Sequence, residues 1–143
     1  MWSPLEHACH VRDVFWLYDV RLQLMLAEDD PLFANWDQDE TAVSERYADQ
    51  DPAVVADELA AAAGRLAVSF EAVRGDQWER PCRRSDGAAF KVRSFARYLV
   101  HDPLRHLHDV GASPQGGAGG ERRPDATGPG AHVPCPRPVG VSA

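Results

Sequence analysis

The sequence predicts an all-α protein, most simply an antiparallel helical bundle followed by a disordered tail. Apolar residues recur at helical spacing in several segments, helix-start signals precede two of these segments, and no segment shows a competing strand pattern. The composition, 44% hydrophobic and 26% charged, is typical of a globular chain. A length of 143 residues corresponds to one ordinary domain.

The first predicted helix begins at Ser3 or Pro4. Glu6 stands three residues after Ser3, which is the spacing of a capping box, and Pro4 occupies the first helical position. Apolar residues then follow at helical spacing until the segment "EDDP" (28–31) ends the helix. A loop and a short helix around 39–48 are predicted next.

Residues 51–73 give the clearest helical signal in the chain. Asp51 is predicted as the N-cap with Pro52 at the first helical position, and the alanines and leucines that follow are good helix formers. Gly75 is expected to end this helix. Turn residues over 76–90 predict an extended loop.

The last helix is predicted over about 91–110 and is closed by Gly111. The composition changes sharply at this glycine, because the remaining 33 residues contain eight Gly and six Pro. Such a segment has little apolar surface to offset the entropy lost on ordering. The expected organisation is therefore a helical bundle at 1–111 and a disordered tail at 112–143.

Charge and composition exclude several classes of protein. A net charge of −7 argues against a nucleic-acid-binding protein, which normally carries a basic face. No apolar run is long enough for a membrane span, and the N-terminus does not resemble a secretory signal. The cysteines, Cys9, Cys82 and Cys135, form no CxxC pair. These features favour a cytoplasmic protein with reduced thiols.

Residues able to bind a metal lie on the first and last predicted helices. His10 is on the first, and the segment "YLVHDPLRHLHDV" (98–110) holds three more of the six histidines. Asp102 and His106 are four residues apart, so they share a helix face, and a bundle could bring His10 to them. Such a set suits Zn²⁺, Ni²⁺, Mn²⁺ or Fe²⁺ and leaves positions open for water or a thiol, whose pKa the ion would lower.

The pattern His-x-x-Asp-Val occurs at both 10–14 and 106–110. In each copy a carboxylate follows the histidine by one helical turn. Metal-bound histidines usually pass their other ring proton to a carboxylate or a carbonyl. Asp13 and Asp109 are therefore predicted to be outer partners that orient the ligands.

The residues also allow other interpretations of this segment. The Asp-Pro pair at 102–103 is an N-cap signature, so the aspartate is either a ligand or a cap, and the proline predicts a kink or a restart of the helix. His101 and Arg105 share the four-residue spacing as well, but an arginine cannot ligate a cation. His7 and His108 are interpreted as solvated histidines.

The segments "WSPLEHACHVRDVF" (2–15) and "FARYLVHDPLRHLHDVG" (95–111) resemble signature segments of the DinB-like superfamily. This superfamily includes mycothiol- and bacillithiol-dependent transferases and a mycothiol-dependent maleylpyruvate isomerase. The resemblance extends to "NWDQDETAV" and "RRSDGAAF". It implies a four-helix bundle whose metal ligands would be His10, Asp102 and His106.

The resemblance implies a metal-dependent thiol S-transferase or isomerase. A low-molecular-weight thiol such as mycothiol would be the cosubstrate, and an electrophilic small molecule would be its target. Family members have a helix before the W-S-x-L-E segment, so the first bundle helix is expected to be missing here. The apolar stripe that its absence would expose favours a homodimer.

One departure from the family pattern concerns Arg105. Close relatives are expected to have a histidine near this position, so a ligand pair at 101 and 105 would be broken in this chain. The alternative function is therefore a non-catalytic or degenerate helical stress or interaction protein without bound metal.

Overall fold

Four helices and one small sheet form the domain in the computed structural model. The structure describes residues 1–109; the side chains of Asp102, Leu107, His108 and Asp109 lie outside that description, and so does the predicted disordered tail. In chain order the elements are α1 (Pro4–Ala27), β1 (Leu32–Phe33), α2 (Gln38–Ser44), α3 (Pro52–Glu71), β2 (Pro81–Arg84), β3 (Ala89–Lys91) and α4 (Val92–Asp109), with 3-10 turns at Tyr47–Asp49 and Gly75–Glu79.

The capping box predicted for α1 is present. The backbone N–H of Glu6 donates to Ser3 Oγ at 3.2 Å, and the Glu6 carboxylate accepts from the backbone N–H of Ser3 at 2.7 Å. An N-cap of this kind stabilises a helix by about 1 kcal/mol. The cap thus fixes where α1 begins, as the sequence predicted.

The predicted start of α3 is also confirmed. Asp51 Oδ1 accepts the backbone N–H of Ala53 at 2.8 Å, and Pro52 occupies the first helical turn. The predicted end was wrong, because α3 ends at Glu71. Gly75 instead adopts a φ of +55° at the start of the next 3-10 turn.

Contacts between side chains give the directions of the long helices. Tyr18 stacks on Phe95 and the His10 ring contacts that of His106, so α1 and α4 run antiparallel as predicted. Between α1 and α3, by contrast, Arg12 contacts Glu58 and Gln23 contacts Ser69, so this pair runs in the same direction. A helix of 24 residues is about 36 Å long, and the connection at 28–51 must therefore return along the bundle before α3 begins.

The expectation of a loop over 76–90 was wrong, because β2 and β3 form a hairpin there. β1 adds to β2 in parallel, and the backbone N–H of Arg83 donates to the carbonyl of Pro31 at 2.9 Å. The strands have two to four residues, too few to show a clear alternating pattern. Gly87 has a φ of +91° in the hairpin turn, a conformation that favours glycine.

The main apolar core lies between α1, α3, α4 and the sheet. Its buried members on the helices include Val14, Tyr18, Leu22, Met25, Leu66, Val92, Phe95 and Leu99. A second, smaller cluster joins Cys9, Tyr47 and Val55 near the N-terminal half of α1. In the described part of the chain, no helix combines the length and apolarity needed to cross a bilayer.

α4 runs through Pro103 as one helix. Of the two predicted outcomes at Pro103, the restart of the helix with Asp102 as its N-cap was therefore wrong, and the kink stays a prediction. Pro103 cannot donate a backbone hydrogen bond to the carbonyl of Leu99. Burial of Val92, Phe95 and Leu99 anchors the helix before the proline, and His106 contacts α1 after it. Tertiary contacts on both sides of the proline thus outweigh the local helix-breaking tendency.

Candidate metal centre

Three histidine rings meet where α1 begins and α4 ends. His7 and His10 are three residues apart on α1, and His106 lies on α4. The ring centroids of His10 and His106 are 4.5 Å apart, with 63° between the ring planes. Those of His7 and His106 are 4.9 Å apart. Residues from nearly opposite ends of the domain therefore form one cluster, which we call the histidine cluster.

Tryptophan rings cover the histidine cluster. Trp36, from the connection before α2, stacks on His10 with centroids 5.5 Å apart and planes 8° apart. Trp2 stacks on His106 at 6.2 Å and 13°, and also contacts His10 at 5.1 Å. His10 is only 1% exposed. The aromatic walls therefore limit the access of water to this ring.

A buried ion-pair network lies beside the histidine cluster. Arg12, only 5% exposed, donates through Nε to Asp13 at 2.9 Å and through Nη1 to Glu58 at 2.7 Å and Gln50 at 2.8 Å. Burial opposes the charge of Arg12, but its interactions with Asp13 and Glu58 outweigh that effect and raise its pKa. The network links the start of α1 to α3.

Tyr47 completes this network from the connection between α2 and α3. Its hydroxyl donates to Asp13 Oδ2 at 2.5 Å, and the residue is fully buried. Burial and this hydrogen bond both raise the pKa of Tyr47, so the phenol stays protonated. The nearby Cys9 thiol also has a raised pKa because it is buried. It therefore remains a neutral thiol and is a poor nucleophile.

A cavity of about 470 Å³ opens beside the histidine cluster. This volume is within the range of small-molecule sites, about 300–1,000 Å³. The cavity is lined by Met1, Trp2, His7, Gln38, Asp39, Arg105 and His106. It offers two imidazoles in its wall and charged side chains of both signs, Asp39 and Arg105.

Residues 1–110 match the family model of the DinB superfamily. The chain belongs to the DinB superfamily. A solved structure described as "YfiT from Bacillus subtilis is a probable metal-dependent hydrolase with an unusual four-helix bundle topology" is similar to it, with a TM-score of 0.65 and 18% sequence identity. The match covers 78% of this chain and 69% of that one, and it confirms the four-helix DinB fold. No curated protein matches the sequence.

Within this DinB fold, the structure brings together part of the predicted ligand set. His10 and His106 face each other, while His101 and Arg105, the alternative pair, are exposed. The side chain of the predicted third ligand, Asp102, lies outside the described residues. Among the side chains that the structure describes, no three His, Cys, Asp or Glu form a group suited to a metal ion.

Of the two predicted outer partners, Asp13 and Asp109, the structure describes the side chain of Asp13 alone. The Asp13 carboxylate accepts hydrogen bonds from Arg12 and Tyr47, both of them buried. Its role in orienting a ligand stays a prediction, and its described partners give it a second role in joining α1 to the Tyr47 segment.

The interpretation of His7 as a solvated histidine was wrong. Its ring is half-buried and contacts the rings of both Trp2 and His106. A signal for this was present in the sequence, since residues three apart on a helix share a face and His10 follows His7 at that spacing. The roles of Trp2, Trp36 and Tyr47 had no comparable local signal, because their partners are distant in sequence.

The ring separation of His10 and His106 is compatible with two ligands of one divalent transition-metal ion. Neutral imidazole suits Zn²⁺, Ni²⁺ and Fe²⁺. Two imidazoles on one tetrahedral ion would have ring centroids about 5 Å apart, given metal–nitrogen distances near 2 Å. The observed separation of 4.5 Å is close to that value. The aromatic walls supply the shielded surroundings that tune such a site.

Proposed function

We propose that this DinB protein binds a divalent metal ion at the histidine cluster and uses it to activate a small thiol for attack on an electrophilic small molecule. The observation that carries the proposal is the meeting of His10 and His106 beside a cavity of ligand size. The description of YfiT as a probable metal-dependent hydrolase supports metal dependence on this fold.

In this proposal the chain's own residues have distinct tasks. His10 and His106 provide ring nitrogens to Zn²⁺, Ni²⁺, Mn²⁺ or Fe²⁺, and Asp102 supplies the third ligand from one turn before His106. Trp2 and Trp36 restrict water around the two rings. When bound, the ion lowers the pKa of a thiol or water at its open position.

The cavity sets what can approach the histidine cluster. Its lining carries both charges, from Arg105 and Asp39. The neutral thiol of Cys9 is buried and donates to the carbonyl oxygen of Tyr47 at 3.9 Å. In this proposal the nucleophile is therefore a small molecule that enters the cavity, such as mycothiol, and not Cys9.

The first test is the metal content of the purified protein. The wild type and the control His101→Ala, which alters an exposed histidine of α4, should each carry about one equivalent of a divalent metal. His10→Ala and His106→Ala should each lose most of it. Unchanged metal content in both variants would refute the site assignment.

A thermal melt distinguishes this function from the non-catalytic alternative. Free metal at one hundred times its Kd should stabilise the native state by about 2.7 kcal/mol, which raises the Tm. A non-catalytic protein without a metal site would melt at the same temperature with and without Zn²⁺ or Ni²⁺. The same melts of His10→Ala are the control, because any rise in its Tm with metal comes from ions bound elsewhere on the chain.

Hydrolysis is the second candidate reaction, favoured by the description of YfiT as a probable hydrolase. The two reactions differ in the nucleophile, which is a thiol in one and water in the other. The metal-loaded protein should therefore be assayed for consumption of mycothiol with an electrophile and for ester or amide hydrolysis without a thiol. Turnover that does not depend on thiol would replace the transferase proposal with hydrolysis.

A further inference from the structure

The contact between His7 and His106 is closer than two ligands of one ion would be. Their Nδ1 atoms are 2.7 Å apart. Two nitrogens bound to one tetrahedral metal at the usual distances are separated by about 3.3 Å. A separation of 2.7 Å is instead the distance of a hydrogen bond. The distance between the two Nδ1 atoms therefore matches a shared proton better than two ligands of one ion.

A hydrogen bond between two neutral imidazoles requires that one Nδ1 carries the proton and the other accepts it. If His7 donates, the ring proton of His106 is on Nε2, and neither nitrogen of His106 can then bind a metal. If His106 donates from Nδ1, its Nε2 has the lone pair that an ion requires. Metal binding by His106 is compatible with the second arrangement alone.

We propose that His7 is a positioning residue that accepts the Nδ1 proton of His106 and so makes Nε2 the metal-binding nitrogen. This inference rests on the proposed function. His7 would then orient the metal-binding histidine, a role that the sequence analysis predicted for the carboxylates of Asp13 and Asp109. Asp13, the carboxylate predicted on the same helix, is held instead by Arg12 and Tyr47.

The first turn of α1 holds His7 in place for this role. The backbone N–H of His7 donates to the carbonyl of Ser3 at 3.0 Å. His7 thus directly follows Glu6, which forms the capping box with Ser3. Trp2 packs edge-on against the His7 ring, with centroids 5.6 Å apart, and stacks on the ring of His106. The same tryptophan therefore orients donor and acceptor together.

Metal affinity gives the first readout. Loss of an outer partner of a metal-bound histidine typically weakens metal binding about 10- to 100-fold. His7→Leu should show a loss of this size in Ni²⁺ or Zn²⁺ titration calorimetry. His7→Asn should stay within a few-fold of the wild type, since its side-chain oxygen can accept the same proton. His101→Leu is the matched control on α4 and should match the wild type.

The second readout needs no metal. Nitrogen-detected NMR of the metal-free protein near pH 8, above the usual pKa of an imidazole, reports which ring nitrogen of His106 carries the proton. The wild type and His7→Asn should show the proton on Nδ1, and His7→Leu should lose this preference. A wild-type His106 with its proton on Nε2 would overturn the inference, as would a His7→Leu variant that binds metal as tightly as the wild type.

The two readouts separate failure of this inference from failure of the proposed function. A wild-type protein that binds neither Ni²⁺ nor Zn²⁺ refutes the proposed function. It also refutes the role of His7 in positioning a metal ligand. A wild type that binds metal through His10 and His106 but shows no dependence on His7 refutes only the inference. Circular dichroism of each variant identifies any loss of affinity that comes from unfolding.

Discussion

The two parts of α1 bury different chemistry within one helix. Its N-terminal part, up to Arg12, buries Cys9, His10 and Arg12, while the rest of the helix buries Val14, Tyr18, Leu22 and Met25. Removal of apolar surface from water stabilises the second part. The first part contains charges and rings whose burial is unfavourable unless each has a partner. The C-terminal part therefore contributes stability, and the N-terminal part depends on specific pairing.

The largest expected effect is in the apolar part. Leu22 is fully buried in the main core, so Leu22→Ala should lower the free energy of unfolding by about 2–5 kcal/mol. Urea denaturation measures this loss. Metal content per folded molecule should stay as in the wild type, because the substitution lies far along the helix from His10.

Val20 provides the control for that substitution. It lies two residues away on the same helix and is exposed, so Val20→Ala should change the unfolding free energy by no more than about 0.5 kcal/mol. If Leu22→Ala abolished metal binding in protein that remains folded, the division of α1 into two parts would be wrong.

The next effect is in the polar part. Arg12→Ala leaves Asp13 and Glu58 without their shared cation, and breaking a buried pair costs about 3–5 kcal/mol. The lower end, about 3 kcal/mol, is expected because the Glu58 side chain is 34% exposed. Urea unfolding of Arg12→Ala, Asp13→Asn and the double variant should show strong non-additivity. Additive losses would mean that the pair is not coupled.

A smaller effect is expected for Tyr47→Phe. Loss of the hydrogen bond to Asp13 should cost about 1 kcal/mol at neutral pH. The pKa of Tyr47 is raised in the folded state, so its contribution is complete below the unfolded value near pH 10 and is lost as the pH rises above it. The stability difference between wild type and variant should therefore be constant up to about pH 10 and shrink beyond it. A difference that grows at alkaline pH would contradict this account.

The smallest effect concerns a glycine on α3, which packs along α1. A Cβ added at Gly64 would have no atom within 4 Å, so Gly64→Ala should stabilise the protein by up to about 1 kcal/mol through helix propensity. Gly75→Ala should instead destabilise it, because Gly75 has a φ of +55°. Thermal melts of the two variants should shift in opposite directions, and metal content should not change.

Local signals in the sequence predicted the helix starts well. The interactions that start these helices lie within one helical turn, so a few neighbouring residues are enough to predict them. The examples are Ser3 with Glu6 and Asp51 with Pro52. The pairing of His10 with His106 could be predicted because a bundle brings facing helices together, and the family resemblance supplied which helices these are.

Long-range features could not be predicted in this way. β1 is held to β2 by backbone hydrogen bonds between segments about 50 residues apart, as between Pro31 and Arg83, and the side chains of these short strands carry little pattern. Nothing local shows that α1 and α3 run in the same direction. Pro103 is a strong local signal that packing overrides, because buried residues such as Leu99 hold α4 in place.

The contact between His7 and His106 closes a loop that spans nearly the whole domain, since the two residues are 99 positions apart. Closing so long a loop carries a large entropic cost, of which each doubling of length adds about 0.6 kcal/mol. We therefore expect the histidine cluster to form late in folding, once α1 and α4 have docked on the core. An ion bound at the histidine cluster would link the start of α1 to the end of α4 and so slow the unfolding of the domain.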